Sequence, residues 1–112
     1  MLDPMAASLG RYMDLLSARQ KLVASNVANA DTPGYKTQDI DFQFEFMSLA
    51  EGQSPQTVQP QGLVEKPDDN NVSMDREARL LAENAIRLNL ASTLVRGNFK
   101  MIREAIEEGK NS

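Results

Sequence analysis

From Met74 onward the chain carries one sustained amphipathic pattern. Apolar residues recur at Ala78, Leu81, Ala85, Leu88, Val95, Phe99, Ile102 and Ile106 in alternating steps of four and three, and only Ser92 interrupts the series. A seven-residue repeat of this kind draws a narrow apolar stripe down one long helix and requires a partner to cover it. Ser73 is suited to cap that helix. Asp75 and Glu77 fall in its first turn, where the helix dipole favours negative charge, and no proline follows. The pattern predicts a helix over residues 73–108.

A second stripe opens the chain. Leu2, Ala6, Leu9, Met13, Leu16, Val23, Val27 and Ala30 keep the same alternation, broken at Gln20. Asp3 and Pro4 supply a capping residue and the residue favoured at a first helical position. Thr32-Pro33-Gly34 must end the helix, so it lies within residues 1–30. Two such helices in one chain predict a mainly all-α fold, in which they pack as a coiled-coil-like hairpin.

Residues 31–47 join the first helix to a turn and a short element. Within it, Ile40, Phe42, Phe44 and Phe46 alternate with polar residues as a strand would. A short helix capped by Asp41 and continuing through Phe42, Phe46, Leu49 and Ala50 is favoured over it, because a lone strand is unstable and no good pairing partner stands out. Residues 48–72 contain Pro55, Pro60, Pro67 and the run Asp68-Asp69-Asn70-Asn71 with few apolar residues. Such a composition offsets little ordering entropy, and a flexible linker is expected.

What the chain lacks narrows its chemistry. It has 112 residues, a formal charge of −4, no Cys and no His. No thiolate chemistry or Cys-based zinc site is open to it, and the commonest acid-base side chain is missing. Clustered cations for phosphate binding are absent, which argues against a nucleic-acid binder. No apolar run approaches a membrane span, and no basic start followed by an apolar core marks a secretory leader. No cofactor and no metal are expected, and an enzyme is the least favoured class. Asp68 and Asp69 lack the glycine and downstream glutamate of a calcium loop.

The string Ala24 to Lys36, A-S-N-V-A-N-A-D-T-P-G-Y-K, ends the first helix with short side chains. Asn26 and Asn29 stand one turn apart, and Pro33-Gly34 suits a type II turn with positive φ at glycine. Asn26-Val27-Ala28-Asn29 followed by Thr32-Pro33-Gly34-Tyr35 resembles the signature of bacterial flagellar rod and hook proteins. Asp39-Ile40-Asp41-Phe42, Asn71-Val72-Ser73-Met74-Asp75-Arg76-Glu77 and Ala82-Glu83-Asn84-Ala85-Ile86-Arg87 are similar to the proximal rod branch of that family. The likeness covers about residues 2–46 and 71–106.

The resemblance implies a structural subunit of the proximal rod of the flagellar basal body, helping to transmit motor torque. It implies export through the flagellar type III apparatus without a cleaved signal peptide, and a place in the periplasmic rod. The neighbours implied are copies of the chain itself, the rod proteins FlgC and FlgF, and the adaptor FliE. The stripes then give the expected assembly interface: Leu9, Met13, Leu16, Val23 and Val27 on the first helix, with Met74, Leu81, Leu88, Val95, Phe99 and Ile102 on the second. Leu15, Leu22, Leu80, Leu90 and Leu94 lie off the stripes and are expected to stay wet unless neighbouring subunits cover them. The alternative is a cytoplasmic helical-hairpin adaptor or chaperone that holds a partner helix between its stripes.

Overall fold

The computed structural model describes residues 4–48 and 54–111. In chain order it has α1 (Pro4–Ala28), β1 (Asp39–Ile40), α2 (Phe42–Ser48), β2 (Thr57–Val58) and α3 (Met74–Asn111). The expected cap at Asp3, the stripe residue Leu2 and the expected helical positions Leu49 and Ala50 lie outside the described residues. The two long helices pack against each other in an elongated body of 71 × 24 × 19 Å. The fold is a mainly helical hairpin, closed at one end by the chain between residues 29 and 73 and open at the other.

Both boundaries of the closed end follow from local chemistry. Past Ala28 the backbone turns through Thr32, whose carbonyl accepts the Tyr35 N–H at 3.2 Å. Gly34 sits at φ 75°, a left-handed conformation open to glycine and resisted by branched side chains. Ser73 caps α3: its Oγ accepts the Arg76 N–H at 3.3 Å and its carbonyl accepts the Glu77 N–H at 3.0 Å.

The short element after β1 is the helix α2. Asp41 caps it, its Oδ1 accepting the Phe44 N–H at 3.2 Å and its carbonyl the Glu45 N–H at 2.9 Å. The rings of Phe42 and Phe46 meet Tyr12 of α1 edge-on, with centroids 5.4 and 5.9 Å away. A strand also forms just before it. Asp39 and Ile40 pair antiparallel with Val58 and Thr57, a partner that the proline-rich composition of that stretch did not reveal.

The apolar core is small: Leu15, Leu16 and Val23 of α1, Ile40, Val72, and Leu80 and Ala91 of α3. Leu15 and Leu80 were expected to stay wet and are instead buried. For Leu80 the reason is rotational. The face that α3 turns to α1 is one residue behind its apolar stripe and runs Glu77, Leu80, Asn84 and Ala91, while α1 buries Leu15, Leu16, Val23 and Asn26, and its Arg11 reaches Glu45 of α2. Leu90 and Leu94 remain exposed.

Leu15→Ala should therefore cost about 2–5 kcal/mol of unfolding free energy, as truncation of a buried leucine does, while Leu90→Ala should stay within about 0.5 kcal/mol. Urea titrations of the two variants followed by circular dichroism compare them directly, and equal losses would contradict the packing. Gly34→Val should shift the unfolding midpoint down, because the turn requires positive φ; an unchanged midpoint would show that the turn tolerates another conformation.

Candidate functional site

The signature residues gather at the closed end of the hairpin and form a polar clasp. Asn26, on the last turns of α1, is fully buried and uses its whole amide. Its Oδ1 accepts the Gln38 N–H and the Tyr35 hydroxyl, both at 3.0 Å. Its Nδ2 donates to the Gln38 carbonyl at 2.9 Å and to Glu77 Oε1 at 3.1 Å. A single side chain thus pairs with the backbone of residue 38 much as a strand would and ties it to the start of α3. Aspartate there would lose both donors, and leucine all four bonds.

The other signature residues shape the turn. Asn29 donates to the Ser25 carbonyl at 2.9 Å and accepts the Thr32 hydroxyl at 3.0 Å. The buried Asn70 donates to the Asn29 and Thr32 carbonyls at 2.9 and 2.8 Å, and its Oδ1 accepts the Val72 N–H at 2.9 Å. Asn71 Oδ1 accepts the Thr37 N–H at 2.6 Å, and the Gly34 N–H donates to the Asp68 carbonyl at 2.8 Å. Residues 68–71, which composition placed in a flexible linker, are thereby bonded into the turn. Pro33 stands exposed beside Gly34.

Charges lock the clasp to both helices. Arg19 of α1 grips Asp39 with two parallel bonds, Nε to Oδ1 at 3.0 Å and Nη2 to Oδ2 at 2.9 Å. Arg76 of α3 also donates to Asp39 Oδ2 and reaches Glu77 Oε1 at 2.9 Å. Burial pushes the Asp39 carboxyl up. The hydrogen bonds from Arg19, the Ile40 N–H and Arg76, with the charge of Arg19, outweigh it and hold the group below its ordinary value of 3.8. Farther along the hairpin, Asn84 donates to the Leu16 carbonyl at 3.4 Å and to Gln20 Oε1 at 3.2 Å.

The expected interface residues divide by helix. On α1, Leu16 and Val23 are buried, Leu9 and Met13 are half-buried and Val27 is exposed. On α3, Met74, Leu81, Leu88, Phe99 and Ile102 are 51, 47, 41, 66 and 43% exposed, and Val95 is half-buried. The apolar stripe of α3 is an outward face of the folded chain. Leu81, Ala85 and Leu88 border a shallow groove of about 270 Å³ with Leu16 and Gln20 of α1.

Comparison with known proteins agrees with this architecture. Residues 13–36, which hold the signature, match the family model described as "Flagella basal body rod protein". The flagellar basal body rod protein FlgB of Yersinia ruckeri is 30% identical over 87% of this chain and 89% of its own length. The chain belongs to the FlgB family of flagellar basal body rod proteins. The Escherichia coli K12 FlgB is 29% identical over 97% of this chain and 99% of its own length, and that of Borrelia hermsii 28% over 87 and 91%. The alignment with the Escherichia coli FlgB runs over 137 positions against the 112 residues present here, so that relative carries insertions.

Membership in the FlgB family decides between the two readings left by the sequence: the role is that of a structural subunit of the flagellar basal body rod. Among the described residues no helix is long and apolar enough to cross a membrane, and no group of three or more acidic side chains could hold a metal ion. Sequence reasoning passes over Arg19 and reads Asn70 as linker, and it places Asp39, Asn71, Arg76, Glu77 and Asn84 in the family likeness without their contacts. A signal for the contact line on α3 is the seven-residue spacing of Glu77 and Asn84, which sets polar groups on a helix line beside the apolar one.

The Asp39 carboxylate gives a prediction with a defined sign. A folded-state value below the unfolded one adds stability that is present above about pH 4 and is lost as pH falls through the folded value. Stability should therefore drop across the range below pH 3.8, and Asp39→Asn should be less stable at neutral pH with a flatter acid limb. Denaturation curves of the parent and variant between pH 7 and 3 test this, and parallel curves would remove Asp39 from the account.

Proposed function

We propose that this FlgB-family chain is a subunit of the proximal rod and joins its neighbours through the apolar stripe of α3, helping the rod to carry motor torque. One observation carries the reading. After the hairpin has formed, Met74, Leu81, Leu88, Phe99 and Ile102 still face outward along the length of α3. Covering the half of each that is still exposed is worth on the order of 1 kcal/mol, so a row of them is an incentive to associate. Contacts that repeat head to tail without closing produce a helical polymer, the form a rod takes.

In this role the helices within residues 1–30 and 73–108 are the rod helices, and residues 31–47, tied to residues 68–71, hold the turn between them. Leu9, Met13, Val27 and Val95 complete the interface, while the buried Leu16 and Val23 belong to the core of the hairpin itself. Copies of the chain, FlgC and FlgF are its rod neighbours, and FliE adapts it to the export apparatus at the membrane. The chain travels through that apparatus without a cleaved signal and is placed in the periplasmic part of the basal body. The reading assigns it no reaction.

Leu81→Lys and Leu88→Lys place a charge on the outward face of α3, at the rim of its groove with α1, and leave the buried Glu77, Leu80, Asn84 and Ala91 in place. The variants should be made in normal amounts and keep the helical content and melting of the parent, yet fail to enter basal bodies and leave cells non-swimming. Swarm plates and immunoblots of isolated basal bodies give the measurement. Normal swimming by both variants would dismiss the stripe as the assembly surface.

A further inference from the structure

The helix α3 carries two candidate contact faces one residue apart, which sets them about 100° apart around its axis. One is the apolar stripe through Leu81, Leu88 and Val95. The other runs through Glu77, Asn84 and Ala91, with Leu80 beside it, and this more polar face is the one turned to α1. Area burial alone favours the opposite choice, because Leu81 and Leu88 would hide far more apolar surface against α1 than Asn84 and Ala91 do.

We propose that the buried polar groups Asn26, Glu77 and Asn84 select the rotation of α3, turning its apolar stripe away from α1 and keeping it open for neighbouring subunits. The use of the stripe rests on the rod reading; the choice of rotation does not. Bonds that exist in only one rotation enforce it. Turning α3 by one residue would take Glu77 Oε1 from Asn26 Nδ2, at 3.1 Å, and from its place beside the Asp39 carboxylate through Arg76. It would also take Asn84 from the Leu16 carbonyl and from Gln20. Asn26 is fully enclosed, so a lost partner there leaves a buried donor unpaired, and such a loss is more costly than a missing bond in water.

Glu77 strengthens the case. Its carboxylate is buried, and Oε2 has no hydrogen-bond partner within the protein. A buried acid held in this way is a poor device for stability, whereas fixing register is the best-attested use of buried polar groups between helices. The hairpin therefore gives up some intramolecular burial in exchange for one defined outward face.

Cysteine reactivity on the isolated chain tests the rotation, since the sequence has no cysteine of its own. Ala85 lies on the exposed stripe and Ala91 is buried against α1. In the parent, Ala85→Cys should react with a maleimide faster than Ala91→Cys. In a Glu77→Ala/Asn84→Ala background, where both polar anchors become small and featureless, the order of the two rates should reverse while helical content is retained. Asn84→Ala alone leaves the clasp at Glu77 in place and should shift each rate partway to its value in the double variant, slower for Ala85→Cys and faster for Ala91→Cys. Glu77→Gln/Asn84→Gln, which can still hydrogen-bond, should keep the parental order.

Parental order in both alanine backgrounds would overturn the proposal. So would fast reaction at both positions with loss of helix in both backgrounds, because the polar groups would then only hold the fold together. Swimming separates this inference from the rod reading. Reversed rates with normal swimming would uphold the selected rotation and count against the stripe's role in the rod, whereas unchanged rates would overturn the selected rotation and leave the rod reading to the Leu81→Lys and Leu88→Lys variants.

Discussion

Everything at the closed end of the hairpin depends on the amide of Asn26. It lies where α1 stops, the turn begins and α3 starts, and its four hydrogen bonds reach Gln38 twice, Tyr35 and Glu77. Around it, Asp39 draws Arg19 from one helix and Arg76 from the other. The apolar core is too small to define the geometry alone, with Leu15, Leu16 and Val23 facing little more than Leu80 and Ala91. Hydrogen bonds have strict geometry and apolar contacts do not, so the polar clasp gives the hairpin its register and the apolar residues give it adhesion.

This division explains why the signature reads as it does. Asn26, Asn29, Thr32, Gly34 and Tyr35 bond to one another and to the chain around them. They are the parts of one turn, in which a donor or acceptor of the right length is needed at each place and positive φ at one. The second half of the middle segment is recruited to the same turn, Asn70 bonding the carbonyls of Asn29 and Thr32 and Asn71 the backbone of Thr37. Composition alone hides this. Asparagines in a proline-rich stretch look like solvated linker until the carbonyls they serve are known, and those carbonyls are some 40 residues away in sequence.

The helices themselves were legible. Heptad spacing, Ser73 as a cap and the Thr32-Pro33-Gly34 stop locate α1 and α3 because they are local rules. The face of contact was not, since two lines one residue apart both have a seven-residue repeat and the sequence offers no way to weigh Asn84 against Leu88 without the partner helix in view. The apolar rule assigned Leu15 and Leu80 to the outside; the burial of Leu80 follows from the rotation that the polar groups impose. Likewise β1 pairs over only two residues, too few for any period to register.

The unequal lengths of the helices set a further condition. At 25 and 38 residues and about 1.5 Å per residue, α3 outruns α1 at the open end of the hairpin. Near the beginning of α1, Met5 and Leu9 meet Leu90 and Leu94 with Tyr12 and Phe46 around an apolar groove of about 360 Å³. Beyond it every residue from Phe99 to Lys110 is exposed. No rotation of α3 can bring Phe99, Ile102 and Ile106 against the described part of α1, yet they continue the spacing of the stripe without a slip. A hairpin that needed only its own stability would have no use for that continuation. A subunit that is covered by others does, and the same line of side chains that is turned outward by the clasp at one end is left outward by simple length at the other.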